Sequence, residues 1–165
     1  MGENLMRNIL LALIAISSVA AQLPAAETRF SAIKLLDGYS AKQDKSVDAS
    51  AWTITGKSGL IIHFEAGPSE GLAVDVKDKD KYEWYREQTV AGEKVYVALR
   101  KLDPKTDSGL NAERKIPAAK VLIVSFPLGG SRSHAANFTA KVANSEEIAD
   151  VLLMALTFDQ SKGIF

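Results

Sequence analysis

A chain of 165 residues that is 47% apolar can bury one core and is too short for two roomy domains. Its 20 Lys+Arg balance 20 Asp+Glu, which leaves no electrostatic footprint for a phosphate backbone and argues against general DNA or RNA binding. It has no cysteine, which excludes disulfide scaffolding, thiolate metal sites, thiol nucleophiles and the acylated cysteine of a bacterial lipoprotein.

Residues 1–26 read as a secretory signal peptide. Arg7 charges the n-region, Ile9 to Ile16 is an unbroken apolar run, and Ser18-Val19-Ala20 offers small residues at a cleavage site, with cleavage expected within 20–26. The run is shorter than the roughly 20 residues that span a bilayer, so no stable membrane anchor is expected after processing. The expected location is periplasmic or secreted, and the lack of disulfides favours a bacterial envelope. Residues 27–165 carry all the aromatic residues and read as a single β-rich globular domain.

Phe30 to Tyr39 is compatible with a short helix or a strand, and Asp37-Gly38 signals a turn. Residues 47–55 alternate as a strand, with Trp52 and Ile54 on one face and Thr53 and Thr55 on the other. Thr55-Gly56-Lys57-Ser58-Gly59 then supplies a turn, with two glycines free to take positive φ. Leu60 to Glu65 returns with Leu60, Ile62 and Phe64 inward and His63 and Glu65 outward. Residues 66–81 form a long polar connection ending in the mixed-charge run Asp75 to Lys81.

A second hairpin spans Arg86 to Lys101, turning at Ala91-Gly92-Glu93 and burying Val95, Val97 and Leu99. Another long connection, 102–119, follows. Lys120 to Phe126 is apolar at nearly every position and reads as a central strand covered on both faces, its ladder ended by Pro127. Ala136, Phe138, Ala140 and Val142 alternate with Asn137, Thr139 and Lys141 as the last strand. The glycosylation sequon Asn137-Phe138-Thr139 falls inside that strand, where it reads as chance.

One strong helix closes the chain. Asn144 or Ser145 caps it, Glu146, Glu147 and Asp150 suit its dipole, and Glu147 can reach back as in a capping box. Ile148, Val151, Leu152, Ala155 and Phe158 lie at helical spacing, and Lys162-Gly163 is the expected stop. The expected fold class is therefore α+β: a single antiparallel sheet of about six to seven strands with a C-terminal helix packed across it. Phe138-Thr139-Ala140-Lys141-Val142 followed by Asn144 to Asp150 and an apolar helix ending at Phe158 resembles the closing unit of the PsbP/Mog-type α/β-sandwich families. Leu36-Asp37-Gly38-Tyr39 stands where those families tend to show a Pro-Gly-Trp-like turn. The resemblance covers residues 135–159 and implies an accessory or binding protein, with no functional residue carried over.

No complete catalytic set is present. His63 with Glu65 could form a base and its orienter, and His134 is the other histidine; a solvent-side histidine is the simpler reading of both. Ser31-Ala32-Ile33-Lys34 matches Ser-x-x-Lys without its companion motifs. Asp75, Asp78, Asp80 and Glu83 could crowd oxygens around calcium, as could Asp103 and Asp107, but lysines interleave both sets and no EF-hand spacing exists. Neither a metal nor a cofactor is expected.

Two places suit recognition. In Gly129-Gly130-Ser131-Arg132-Ser133-His134, convergent backbone N–H groups, two hydroxyls, a guanidinium and an imidazole suit a small anionic ligand, against the simpler reading of a wet turn. Tyr82, Trp84 and Tyr85 form the densest aromatic cluster, which suits a partner surface or plain packing, with Tyr82 and Trp84 on one face of a strand and Tyr85 on the other. The expected function is a non-catalytic binding or accessory protein of the cell envelope, its partner an envelope protein or a small anion. The alternatives are an immunity or inhibitor protein against a toxin or hydrolase, and a small hydrolase using His63 or His134.

Overall fold

The computed structural model describes residues 30–45, 49–68, 70–103, 105, 107 and 117–162. The signal-peptide segment and Gly163 lie outside them. Among the described residues no helix is long and apolar enough to cross a membrane.

The fold is α+β. Seven strands, β1 (Ser40–Gln43), β2 (Ser50–Thr55), β3 (Ile61–Gly67), β4 (Trp84–Val90), β5 (Glu93–Lys101), β6 (Lys120–Leu128) and β7 (Ser131–Val142), form one antiparallel sheet, and the helix α1 (Ser145–Ala155) packs against it. The order across the sheet is β1-β2-β3-β7-β6-β5-β4. Two three-stranded meanders are thus joined by the last strand, β7, which pairs with β3 on one side and β6 on the other.

The first face of the sheet carries the main core. Period-two alternation brings Trp52, Ile54, Ile62, Phe64, Val95, Val97, Leu122, Val124, Phe126, Phe138 and Ala140 to it, and Val151, Met154 and Ala155 of α1 cover it. The rings make a continuous cluster: Phe64 and Phe138 at 4.8 Å between centroids, Phe126 and Phe158 at 5.1 Å, Phe30 and Trp52 at 4.6 Å. Fully burying each such ring contributes about 1.5–3 kcal/mol, so the cluster dominates this side of the molecule.

Residues 30–39 form neither helix nor strand. They run as turns along the edge of the helical layer, where Ala32 and Ile33 are buried, Lys34 N–H donates to Thr157 Oγ1 at 2.8 Å and Asp159 N–H to the Ala32 carbonyl at 2.8 Å. Packing against α1 thus decides a segment whose local pattern is ambiguous. Tyr39 lies across Gly56, where a Cβ would come within 2.6 Å of its ring, and donates from its hydroxyl to Asp150 Oδ2 at 2.7 Å. Gly56 is required for that close approach, and only Gly59 of the two turn glycines takes positive φ. Burial, followed by the hydrogen bond to Asp150, pushes the Tyr39 hydroxyl well above its usual range.

Three sequence expectations are corrected. Pro127 does not end the β6 ladder: it pairs opposite Ala135, and an irregularity between Pro127 and Leu128 accommodates the missing N–H before the strand turns at Gly129-Gly130. Asn144 caps α1 by accepting the Glu147 N–H at 3.0 Å, but the Glu147 carboxylate reaches back to the N–H of Ala143, one residue beyond a standard capping box. The helix ends at Ala155, not at Lys162. There the Thr157 hydroxyl donates to the Met154 carbonyl at 2.7 Å, and Gln160–Lys162 forms a separate short 3₁₀ turn.

Candidate functional site

The second face of the sheet is built differently. The chain must travel from β3 in the middle to β4 at the far edge, and it does so over this face, above β7, β6 and β5. Asn137 and Ser125, neighbours across β7 and β6, hold the crossing in place. Asn137 Oδ1 accepts the Ala73 N–H at 3.0 Å and the Ser125 hydroxyl at 2.7 Å, while its Nδ2 donates to the Gly71 carbonyl at 2.9 Å. Val74 N–H donates to Ser125 Oγ at 3.3 Å, and the Val74 side chain enters a small core with Tyr82, Tyr96, Ala98, Val121 and Ile123. Asn137 is thus buried, with both its amide oxygen and its amide nitrogen hydrogen-bonded.

The mixed-charge run beyond Val74 is a folded corner. Asp75 accepts the backbone N–H groups of Lys77 and Asp78 on Oδ1 and the Lys81 ammonium at 2.9 Å on Oδ2, and its own N–H donates to the Tyr82 hydroxyl at 2.8 Å. The hydrogen bond from Lys81 holds the Asp75 carboxyl below the usual carboxylate range. Asp107 is likewise committed: Arg100 grips it with two hydrogen bonds of 2.6 and 2.8 Å, and this pairing depresses its pKa. Among the described residues no group of three or more His, Asp or Glu side chains is placed to hold a metal.

The aromatic cluster divides differently from the sequence expectation. Tyr82 sits in the turn before β4, so it is freed from strand alternation and stacks on Tyr85 at 6.2 Å on the second face. Trp84 faces the other way, half exposed, with Arg86 over its ring at 5.4 Å. Lys79 covers Tyr85 at 4.7 Å and Lys81 covers Tyr82 at 5.3 Å. The three rings therefore do not form one partner surface. The Tyr85 hydroxyl is buried without a hydrogen-bond partner among the described residues, and burial raises its pKa.

Gly129 and Gly130 are the two central residues of a tight β6–β7 hairpin, with φ of 58° and 74°, the paired positive values of a type I′ turn. Ser131, Arg132, Ser133 and His134 follow as the exposed start of β7, where the hydroxyls of Ser131 and Ser133 meet at 2.7 Å. Ser131 pairs opposite Leu128 and Ala135 opposite Pro127, so Arg132, Ser133 and His134 bulge out of the ladder between them, and the Ser133 N–H donates to Ser131 Oγ at 3.2 Å. Of these side chains, Arg132 lies at concave surface. It lines one cleft of about 410 Å³ with Gly92, Glu93, Lys94, Tyr96, Pro127 and Gly130. It also lines a second, of about 480 Å³, with Leu72 to Lys77 of the crossing segment.

Charge is concentrated there. The fields of Lys94, Lys79 and Arg132 all reach Glu87, whose carboxyl is held below the usual range first by its hydrogen bond from Lys94 at 2.9 Å. Lys94 is thus neutralised by Glu87, and Lys79 lies over the Tyr85 ring. Among the described residues Arg132 forms no salt bridge. Sequence reasoning singled out Arg132 but missed Lys94 and Lys79, because only the β4–β5 hairpin and the crossing bring them to the same face.

The histidines are apart. His63 lies opposite Thr53 and Thr139 on the second face, with no hydrogen bond to Glu65, and His134 lies in the bulge at the start of β7, five residues before Thr139. Ser31 and Lys34 are exposed in the turns beside α1. Neither histidine is joined to a nucleophile among the described residues. The chain matches no family model, no curated protein and no solved structure.

Proposed function

We propose that this is an exported, non-catalytic binding or accessory domain of the cell envelope that recognises an anionic group at Arg132. The observation that carries the reading is Arg132 itself: a guanidinium with no salt bridge among the described residues, forming a wall of two clefts. A guanidinium in such a place offers forked donors to a carboxylate, sulfate or phosphate. The apolar, arginine-bearing leader supports export, and the PsbP/Mog-like closing unit is in keeping with a binding role.

Ligand linkage tests the binding half. Succinate, citrate, sulfate and phosphate, compared at matched ionic strength, should include at least one anion that raises the melting temperature, and Arg132→Ala should remove the rise. An unchanged melting temperature across all four removes the reading. Mass spectrometry of the N-terminus from fractionated cells tests the export half, with a new terminus within residues 21–27 expected.

A further inference from the structure

The clefts on either side of Arg132 differ in what their walls offer. The first brings Arg132 and Glu93, with Lys94 bonded to Glu87. The second is a continuous length of main chain, Leu72 to Lys77. Its N–H groups at Ala73, Val74, Asp75 and Lys77 are all used inside the protein, on Asn137, Ser125, Tyr82 and Asp75. Its carbonyls accept no hydrogen bond from any described residue. That wall is rich in acceptors and poor in donors, so it suits a ligand that carries N–H groups and disfavours a bare polyanion. Asp75, the carboxylate in this wall, is occupied by Lys81, which leaves Lys77 and Arg132 as the charges it presents.

Extending the anion reading above, on which it rests, we propose that the Arg132 site takes an extended peptide, with the carboxylate of an internal acidic side chain on the guanidinium and main chain running through both clefts. The placement of Arg132 decides for an internal residue over a chain terminus. It stands between the clefts, so a carboxylate bound to it has ligand on both sides, whereas a terminal carboxylate would leave one cleft empty. The peptide N–H groups then meet the acceptor-rich 72–77 wall, and Lys77, which lines the same cleft as Arg132, favours an acidic neighbourhood in the partner.

The test uses a blocked alanine pentapeptide with one central glutamate, its central-glutamine analogue, and an unblocked all-alanine peptide with a free C-terminus, titrated into the mature protein by calorimetry. The glutamate peptide should bind about tenfold or more tightly than either of the others. Arg132→Gln should lose the same factor for the glutamate peptide and nothing further for the glutamine analogue, since one interaction is removed from either side. Arg132 is exposed, so the variant keeps the fold. Equal binding of the glutamate and glutamine peptides overturns the proposal, as does preference for the free C-terminus. If succinate or sulfate stabilises the protein through Arg132 while no peptide binds, the peptide inference falls and the anion reading stands. If neither anions nor peptides bind, both fall.

Discussion

The two faces of the sheet are held by different physics. On the first face, aliphatic side chains and a run of touching phenyl rings are covered by α1, and cohesion comes from volume and area removed from water. On the second, a single crossing segment is fastened through Asn137 and Ser125 over a smaller core, with an ion pair of Arg100 and Asp107 also buried on one side. Packing tolerates no vacancy but fixes no bond direction. The polar clasp does the reverse: it sets the position of a length of main chain and leaves the space beside it open. The clefts flanked by Arg132 lie beside that crossing segment and the β4–β5 hairpin.

Four variants would break or sharpen this contrast. Phe138→Ala, at the centre of the ring cluster, should cost about 3–5 kcal/mol in urea denaturation; a loss under about 1 kcal/mol would mean the first face is not held by packing. Asn137→Ala should cost about 2–4 kcal/mol, since it strands Ser125 and two main-chain groups together. It should also speed amide exchange at Ala73 and Val74 selectively; uniform exchange would show that the clasp is not local. Asp107→Asn should cost about 1–3 kcal/mol at neutral pH by leaving Arg100 half-paired.

The same aspartate gives a pH signature. Its folded pKa lies below the unfolded value because of Arg100, so its contribution is complete above the unfolded value of about 3.9 and disappears as pH falls through the folded one. Asp107→Asn should therefore lose less stability than the native chain over that acid range, by pH-dependent denaturation. The smallest effect is a gain. Ala91 holds φ at 52° in the β4–β5 turn, a left-handed conformation costing a non-glycine residue about 1–2 kcal/mol, so Ala91→Gly should stabilise by about 1 kcal/mol.

The first face was legible because one-sided burial writes itself into alternation. Trp52 and Ile54, Ile62 and Phe64, Phe138 and Ala140 each declare the buried side within a few residues, and the helix cap at Asn144 is equally local. Much of the second face was not. Tyr96 and Ala98 lie on what alternation assigns to the wet side of β5, and they are buried because Val74 and Tyr82 arrive over them from a run rich in lysine and aspartate. Nothing within Asp75 to Lys81 announces that its charges close on one another. The candidate site was half legible for the same reason. Arg132 stands out beside two glycines, whereas Lys79 and Lys94 joined it only through the sheet order.

The place of β7 also orders events in time. β1 to β3 and β4 to β6 are each local meanders that can pair as soon as they exist, yet they touch within the sheet only through a strand that ends at Val142. A chain lacking residues beyond 130 has two half-sheets with raw inner edges, at β3 and β6, and neither a lid for the ring cluster nor an anchor for the crossing at Asn137. The native contacts between β3 and β7 span large sequence separations, Ile62 to Ala140 among them, so closure is slow relative to local pairing and must wait for the C-terminal end of the chain.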